Sequence, residues 1–348
     1  MSESKTASKR PELRKIVTHR NPHLDELAAV AAILEFGHMR RWYWKKGTEP
    51  EVEYAHNENA ALAAYKDRTD VVFVGIGGGE FDEHRAEGRL PDTSAFKLVL
   101  QALEMAERAD LEHFLKEVVR SDVEATQENL SLAQVLKVAQ RYGPVKDEIA
   151  PHLLYLVRVA LVAYQERGHE FHKICPADFD RTGYIVELDD LRMAVVTSDV
   201  SSMGAWARTR KDAHIVVQAY STGHVRVFGT NHDRHPLLAD VIERAARHLM
   251  AHEMRAMGQP EAAIAKAWEQ FPTVCERSND LPGYVPWYYL RATNSALLNG
   301  SHSHEREPTR LELEGVADTI REAYEAVAKE RKPVAQAASP ATEAAPAA

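Results

Sequence analysis

Apolar runs alternate with helical stretches through the first quarter of the chain. The runs "RKIVTH", "VEYAHN" and "VVFVGIGGG" predict strands. The stretches between them, "DELAAVAAILEFGHMRRWY" and "ENAALAAYKD", have helical spacing, with Leu27, Val30 and Ile33 on one side of the first. Strands without alternation are typical of parallel sheets that are covered on both faces. Residues 13–84 therefore predict a β-α-β-α-β unit.

The pattern changes after residue 93. Residues 93–165 are almost entirely helical in spacing, and strand runs return near residue 180 together with a Gly-containing hairpin, "YSTGHVRV". We expect an α/β fold, with a parallel-sheet N-terminal domain joined by a helical connector to a smaller α/β C-terminal domain with a small sheet. The predicted parts are a disordered tail (1–12), the first domain (13–145), the connector (146–179), the second domain (180–331) and a disordered tail (332–348).

Composition narrows the class of protein. The chain has 348 residues and a formal net charge of −9, which argues against a broad basic face for duplex DNA. No apolar run is long enough to cross a membrane, and the first residues lack the apolar core of a signal peptide. The two cysteines, Cys175 and Cys275, are far apart, which fits a reducing cytoplasm and excludes a thiol-based metal site.

Metal-capable side chains follow the first strand, in "THRNPHLDE". His19 ends the strand, and His23 and Asp25 follow a proline. Ligands of open parallel sheets bind beyond the carboxyl ends of the strands. Two imidazoles and a carboxylate there suit Mn²⁺, Zn²⁺ or Fe²⁺. In the alternative interpretation, Asp25 caps a helix that starts at Glu26, and His19 is a hydrogen-bonded residue at a strand end.

A second candidate stretch, "VVFVGIGGGEFDEHR", ends the third strand. Its glycines do not form a phosphate loop, because no G-K-[ST] follows them. Asp82, Glu83 and His84 come next, at the mouth of the same predicted sheet. In the alternative interpretation these three residues are solvated surface.

Together these motifs resemble the DHH phosphoesterase superfamily, which is named for its Asp-His-His motif. The layout of "HRNPHLDE" and "GGGEFDEH" is similar to that of the melanocyte-proliferating-gene type exonucleases. Asp122, in "VVRSDVE", is placed like the aspartate of the family's fourth motif. The stretch from "RMAVVTSDV" to "RVFGT" resembles the DHH-associated C-terminal domain, with "NGSHSH" as its substrate loop. The resemblance covers roughly residues 13–305.

The resemblance implies a two-metal site. One metal would be held by His19 and His23, and the other by Asp25, Glu83 and Asp122. Asp82 would help to bind metal or bridge the two ions. His84 would hydrogen-bond the substrate phosphate or protonate the leaving oxygen. Substrate-binding positions implied by the resemblance are Arg226, Gly300, Ser301 and His302.

Two positions depart from the family's pattern. Gly75 stands where the family has an aspartate that bridges the two metals, and Glu83 stands where it has a metal-binding histidine. A carboxylate can replace imidazole as a ligand of Mn²⁺ or Mg²⁺. Two adjacent cations, however, need an anion between them, and the loss of the bridging aspartate removes one.

The function implied is that of a metal-dependent phosphodiesterase, exonuclease-like, in the cytoplasm. It would cleave short RNA, short DNA or a small nucleotide by in-line attack of activated water. Mn²⁺ is the first choice of metal, with Mg²⁺ or Zn²⁺ as alternatives, and a homodimer is an option. Two other functions stay open: a catalytically degenerate DHH-fold protein that binds or senses nucleotides, and a pyrophosphatase-like phosphohydrolase.

Overall fold

The chain forms two compact units in the computed structural model, residues 1–172 and 173–348. The structure describes residues 10–38, 40–45, 47–85, 88–123, 131–142, 149–230, 232–277, 281, 285–290, 296–299 and 307–337. The division between the units falls inside the segment 146–179 that was predicted as a connector.

The first unit contains a parallel three-stranded sheet within its described residues. Its strands are β1 (Lys15–His19), β2 (Glu51–Ala55) and β3 (Val71–Phe73), and β1 lies in the middle. Helix α1 (Leu24–Ala32) connects β1 to β2, and α2 (Glu58–Tyr65) connects β2 to β3. The predicted β-α-β-α-β order and the parallel pairing are confirmed.

Helix α1 lies in the interior of the first unit. Every one of its nine residues is buried, and four of them are alanines, so neighbouring helices can approach its backbone closely. The predicted helix was longer, reaching Tyr43, and this part of the prediction is wrong. A π-helical turn, Ile33–Gly37, follows α1, and the chain then turns back so that the ring of Trp42 packs against Gly37 and is buried.

The other elements of the first unit surround α1. They are the short strands β4 (His84–Arg85) and β5 (Gly88–Arg89) and the helices α3 (Ala95–Ala102), α4 (Glu112–Val123), α5 (Leu132–Tyr142) and α6 (Ile149–His169). Helix α6 was predicted as a connector between domains. It contributes Leu153, Val157 and Leu161 to the core around α1.

The second unit has a mixed six-stranded sheet within its described residues. Its strands are β6 (Tyr184–Leu188), β7 (Leu191–Thr197), β8 (Ile215–Ala219), β9 (Val225–Gly229), β10 (Trp287–Leu290) and β11 (Ala296–Asn299), in the order β10-β11-β9-β8-β7-β6. Only β7 and β8 pair in parallel. The predicted hairpin joins β8 to β9, with Gly223 at φ +83° in its turn. The sheet is larger than predicted, because the short runs "WYYL" and "ALLN" were not recognised as strands.

The described residues of the second unit also form five α-helices: α7 (Cys175–Thr182), α8 (Met203–Arg210), α9 (Leu238–Ala256), α10 (Glu261–Arg277) and α11 (Leu313–Ala337). The core of the unit joins the sheet to α9, α10 and α11, through residues such as Val217, Leu249 and Ile320. Among the residues that the structure describes, no helix combines the length and the apolar character needed to cross a membrane.

Candidate metal centre

The ends of two parallel strands meet at one edge of the first unit's sheet. β1 ends at His19, and the segment after it leads into α1. β3 ends at Phe73, and a glycine-containing loop leads from it to β4. Because β1 and β3 are parallel neighbours, the two segments leave the sheet on the same side.

Three carboxylates from distant parts of the chain come together there. Asp25 lies in the first turn of α1, Glu83 immediately before β4, and Asp122 in the last turn of α4. One ligand oxygen from each lies within 4.8 Å of the other two. Asp25 and Glu83 are buried, with 3% and 5% of their surface exposed, and Asp122 is half-buried. We call Asp25, Glu83 and Asp122 the acidic group.

Asp25 also has a structural role. Its Oδ2 accepts a hydrogen bond from Ala95 N at 2.8 Å, and its Oδ1 accepts one from Phe96 N at 3.0 Å. These are the first two amides of α3, which have no partner within that helix. The alternative prediction, that Asp25 caps the helix starting at Glu26, is wrong: α1 begins at Leu24, and Asp25 caps α3. Each oxygen keeps a lone pair for a cation.

Burial and mutual repulsion change the acidity of two neighbouring carboxyl groups. Burial raises the pKa of Asp25 well above its ordinary value, the negative charge of Glu26 raises it further, and the Phe96 amide opposes both effects. Burial also raises the pKa of Glu26 to about 7, while backbone hydrogen bonds, including one from His23 N, lower it. A cation bound among these oxygens would favour their ionised forms.

The other two members of the acidic group differ in their partners. Glu83 Oε2 is buried and has no hydrogen-bond partner within the described part of the chain, while Glu83 Oε1 lies 3.3 Å from His84 Nε2. Asp122 Oδ2 forms an ion pair with the guanidinium of Arg89, on β5. A positive side chain therefore already contacts one edge of the group.

A small cavity adjoins the acidic group. Its volume is about 40 Å³, and its lining includes His23, Asp25, Asp122 and Lys137. A space of this size holds an ion with a little water, and it is too small for a nucleotide. Desolvation lowers the pKa of His23 where its ring faces this cavity, and Lys137 lowers it further. The imidazole is therefore mostly neutral at pH 7, which is the form that binds metals.

His19 lies apart from the acidic group and contacts two other carboxylates. Its Nδ1 is 2.9 Å from Glu58 Oε1, and its Nε2 is 3.7 Å from Glu26 Oε1. Glu26 Oε2 accepts a hydrogen bond from His23 N at 2.7 Å. The structure thus places His19 beside Glu26 and Glu58, and His19 also interacts electrostatically with His23.

Asp82 and His84, the predicted catalytic residues, have different surroundings. Asp82 is buried, and its two oxygens accept hydrogen bonds from Gly78 N at 2.6 Å and His84 N at 2.8 Å. It holds the glycine loop in shape and lies outside the acidic group. The His84 side chain is 63% exposed and is therefore accessible to a ligand from solvent.

The predicted substrate-binding residues belong to the second unit. Arg226, on β9, lies with its guanidinium 4.8 Å from the centre of the Tyr220 ring. Gly300, Ser301 and His302 lie outside the described residues.

Three residues beside the candidate site were missed by the sequence analysis: Glu26, Glu58 and Arg89. Glu26 follows Asp25 directly, and an acidic residue in a helix's first turn has an ordinary explanation as a cap. Glu58 follows β2, a neighbour of β1 in the sheet, so the topology placed it near His19. Nothing in the local pattern around Arg89 distinguishes it from a surface arginine.

Comparison with known proteins adds little to this geometry. No protein-family model and no curated protein matches the chain. One similar solved structure is that of an uncharacterized protein from Helicobacter pylori G27, with 11% sequence identity and a TM-score of 0.25. The match covers 90% of this chain and 100% of that chain. A likeness at this TM-score supports neither a fold family nor a function, so a functional assignment depends on the site itself.

Proposed function

We propose that this protein is a metal-dependent phosphodiesterase that cleaves short oligonucleotides or small nucleotides. One observation carries the proposal: the acidic group converges at a sheet edge, with Glu83 Oε2 buried and without a partner among the described residues. Leaving a buried charged oxygen without a partner costs more than about 1–3 kcal/mol. A divalent cation removes this cost, and carboxylate oxygens are the ligands that Mg²⁺ and Mn²⁺ prefer.

The donor set fits such an ion. Asp25, Glu83 and Asp122 would hold it, and their elements fix them: α1 is buried, Asp25 is held by two α3 amides, and Asp122 lies in a helix. When bound, the ion would supply Lewis-acid charge for phosphoryl transfer. Mn²⁺ is proposed first, because His23 borders the same cavity and imidazole suits Mn²⁺ better than Mg²⁺.

The substrate would bind outside the small cavity. The cavity cannot contain a nucleotide, whereas the exposed ring of His84 lies at the solvent side of Glu83. In this proposal His84 hydrogen-bonds the substrate phosphate or protonates the leaving oxygen. The net charge of −9 favours short substrates, because affinity for long nucleic acids depends on many cationic contacts.

A non-catalytic function has its own support. Asp122 already has a cationic partner in Arg89, and both oxygens of Asp25 accept backbone hydrogen bonds. Two of the three carboxylates therefore have partners without a metal. On this second proposal, the chain is a catalytically degenerate DHH-like protein that binds or senses nucleotides.

Metal content and turnover, measured together, separate the two proposals. The full chain would be purified, its bound metal counted by elemental analysis, and Mn²⁺-dependent release of mononucleotides measured on short RNA and DNA. Glu83→Gln and Asp122→Asn would be compared with Glu80→Gln, a control in the same loop whose side chain is 58% exposed and pairs with Arg41.

The enzyme proposal expects near-stoichiometric metal in the wild type and the control. It also expects Glu83→Gln to lose at least about 100-fold in turnover, since even second-shell partners of metals contribute 10- to 100-fold. Absence of both metal and turnover in the wild type would overturn it. Nucleotide binding without added metal would then favour the sensor.

A further inference from the structure

Two histidines lie one helical turn apart on helix α9 of the second unit. His248 and His252 are four residues apart, so their side chains lie on the same face of the helix. The centres of the two rings are 6.4 Å apart, and both residues are half-buried. Imidazoles with this spacing on a helix can bind one zinc ion. Zn–N bonds of about 2.0–2.1 Å bridge the two rings after a small rotation of the side chains.

A chain of hydrogen bonds fixes the tautomer of His252. The hydroxyl of Thr319, on α11, donates its hydrogen to Gly315 O at 2.7 Å. Its oxygen lies 3.1 Å from His252 Nδ1 and, having no second hydrogen, accepts a hydrogen bond there. His252 Nδ1 therefore carries a hydrogen, and in the neutral ring Nε2 carries the lone pair. Metal-binding histidines usually donate their second ring N–H in this way.

His248 offers the second nitrogen. Its ring meets the ring of Trp268, on α10, edge to face, with the centres 5.3 Å apart. Burial lowers the pKa of His248, and three neighbouring basic side chains lower it further: His252, Arg244 and Arg255. The ring is therefore mostly neutral at pH 7, which is the form that binds metals. Within the described part of the chain, no hydrogen bond occupies its nitrogens.

The neighbouring helix α11 brings a carboxylate to the same place. Helices α9 and α11 pack side by side and antiparallel, with polar contacts at both ends of the pair. Glu322 follows Thr319 by almost one turn, so it is level with the turn between His248 and His252. Its negative charge opposes the lowering of the His248 pKa. Glu322 is exposed and forms no hydrogen bond or ion pair with the described residues.

We propose that His248 and His252 bind a zinc ion, with Glu322 as the third ligand. Two neutral imidazoles and one carboxylate are a frequent donor set for zinc and leave one position for water. Thr319 is a positioning residue, acting through the ring of His252. The ion joins α9 to α11, and its site shares no residue with the acidic group. The proposal therefore does not depend on the phosphodiesterase function.

The test is a calorimetric titration of the full chain with Zn²⁺, with saturating Mg²⁺ present to compete for the acidic group. His248→Gln and His252→Gln should each weaken one Zn²⁺ site at least about 100-fold, since loss of an outer partner alone weakens metal binding 10- to 100-fold. Glu322→Gln should weaken the same site. The controls are His113→Gln, an exposed histidine of α4, and Glu325→Gln, an exposed glutamate of α11, which should bind Zn²⁺ like the wild type.

Thr319 has a separate readout. Thr319→Val keeps the shape of the side chain and removes the acceptor of the His252 hydrogen. It should weaken Zn²⁺ binding about 10- to 100-fold, and Thr319→Ser should restore the affinity. Equal Zn²⁺ affinity in the wild type and Thr319→Val would overturn the positioning role, whatever the change in stability.

The opposite results are equally clear. Absence of Zn²⁺ binding by the wild type, or unchanged binding in both histidine variants, would overturn the proposal, and unchanged binding in Glu322→Gln would overturn the third ligand. Should the variants fail to fold, nitrogen NMR of the wild-type imidazoles tests the same site. It should show a hydrogen on His252 Nδ1 without zinc, and one equivalent of Zn²⁺ should shift a ring nitrogen of His248 and of His252. Shifts confined to other histidines would overturn the proposal.

Discussion

The contact between Gly75 and Glu26 makes a quantitative prediction about stability. Alanine at position 75 would have the left-handed φ of +68° and a Cβ 2.4 Å from Glu26 Cγ. The backbone strain costs about 1–2 kcal/mol, and forcing an extra carbon into a packed region costs about 1–3 kcal/mol. Gly75→Ala is therefore expected to reduce the free energy of unfolding by about 2–5 kcal/mol.

Gly78 separates the two contributions. It lies in the same loop with φ +64°, but a Cβ there has no neighbour closer than His84 O at 3.7 Å. Gly78→Ala should cost only the strain, about 1–2 kcal/mol. In a Glu26→Ala background the clash disappears, so Gly75→Ala should also cost about 1–2 kcal/mol there. The coupling between positions 26 and 75 should reach about 1–3 kcal/mol.

The assay is native-state hydrogen exchange at the amides of β1 and α1 in the presence of a chelator. These amides report the stability of the first unit alone, and the chelator removes any contribution from bound metal. Strictly additive costs of Gly75→Ala and Glu26→Ala would refute the argument that one side chain excludes the other. A Gly75→Ala cost equal to that of Gly78→Ala would refute it as well.

Three further predictions concern single side chains. Asp25→Asn should destabilise the metal-free protein by about 1–3 kcal/mol in chelator-containing urea unfolding, because one amide oxygen cannot replace two at the start of α3; an unchanged midpoint would contradict the capping role. Arg89→Gln should tighten Mn²⁺ binding about three- to tenfold by titration calorimetry, the equivalent of about 0.7–1.4 kcal/mol, because the guanidinium no longer competes for Asp122; weaker binding would contradict the competition. A hydrogen bond from Lys15 lowers the pKa of Glu53 in the folded protein. The ionised Glu53 therefore stabilises the fold by about 0.5–1 kcal/mol above pH 4.5, and this contribution is lost as the pH falls. Glu53→Gln should weaken the fall in the free energy of unfolding that is measured as the pH is lowered.

Much of the first unit could be predicted from sequence because its strands carry local signals. Continuous β-branched runs and an alanine-rich helix specify β1, α1 and β3 without reference to distant residues. The boundaries were less predictable: α1 changes to a π-helical turn after Ala32 and the helix ends at Gly37, onto which Trp42 packs, a contact that no periodicity shows. The same applies to α6, whose place against α1 depends on the tertiary packing of one apolar face.

The candidate site also contains residues that the sequence indicated and residues that only the structure brings together. Asp25, Glu83 and Asp122 were grouped only through the resemblance to a known family, and the structure brings ligand atoms of these three within 4.8 Å of one another. The capping of α3 by Asp25 and the place of Glu26 beside Gly75 depend on packing between elements that are far apart in sequence. The backbone hydrogen bonds that Asp82 accepts in the glycine loop were not predictable either, because no local pattern indicates them.

The burial of α1 has a consequence for how the site would respond to a ligand. Asp25 and Glu26 lie in the first turn of a helix that is enclosed on all sides, and each is anchored by backbone amides. Their rotamers are therefore selected when the protein folds, so little conformational entropy remains to be lost when an ion or substrate binds. Such preorganisation favours a rigid pocket that discriminates between ions by size and charge over one that adapts to each of them.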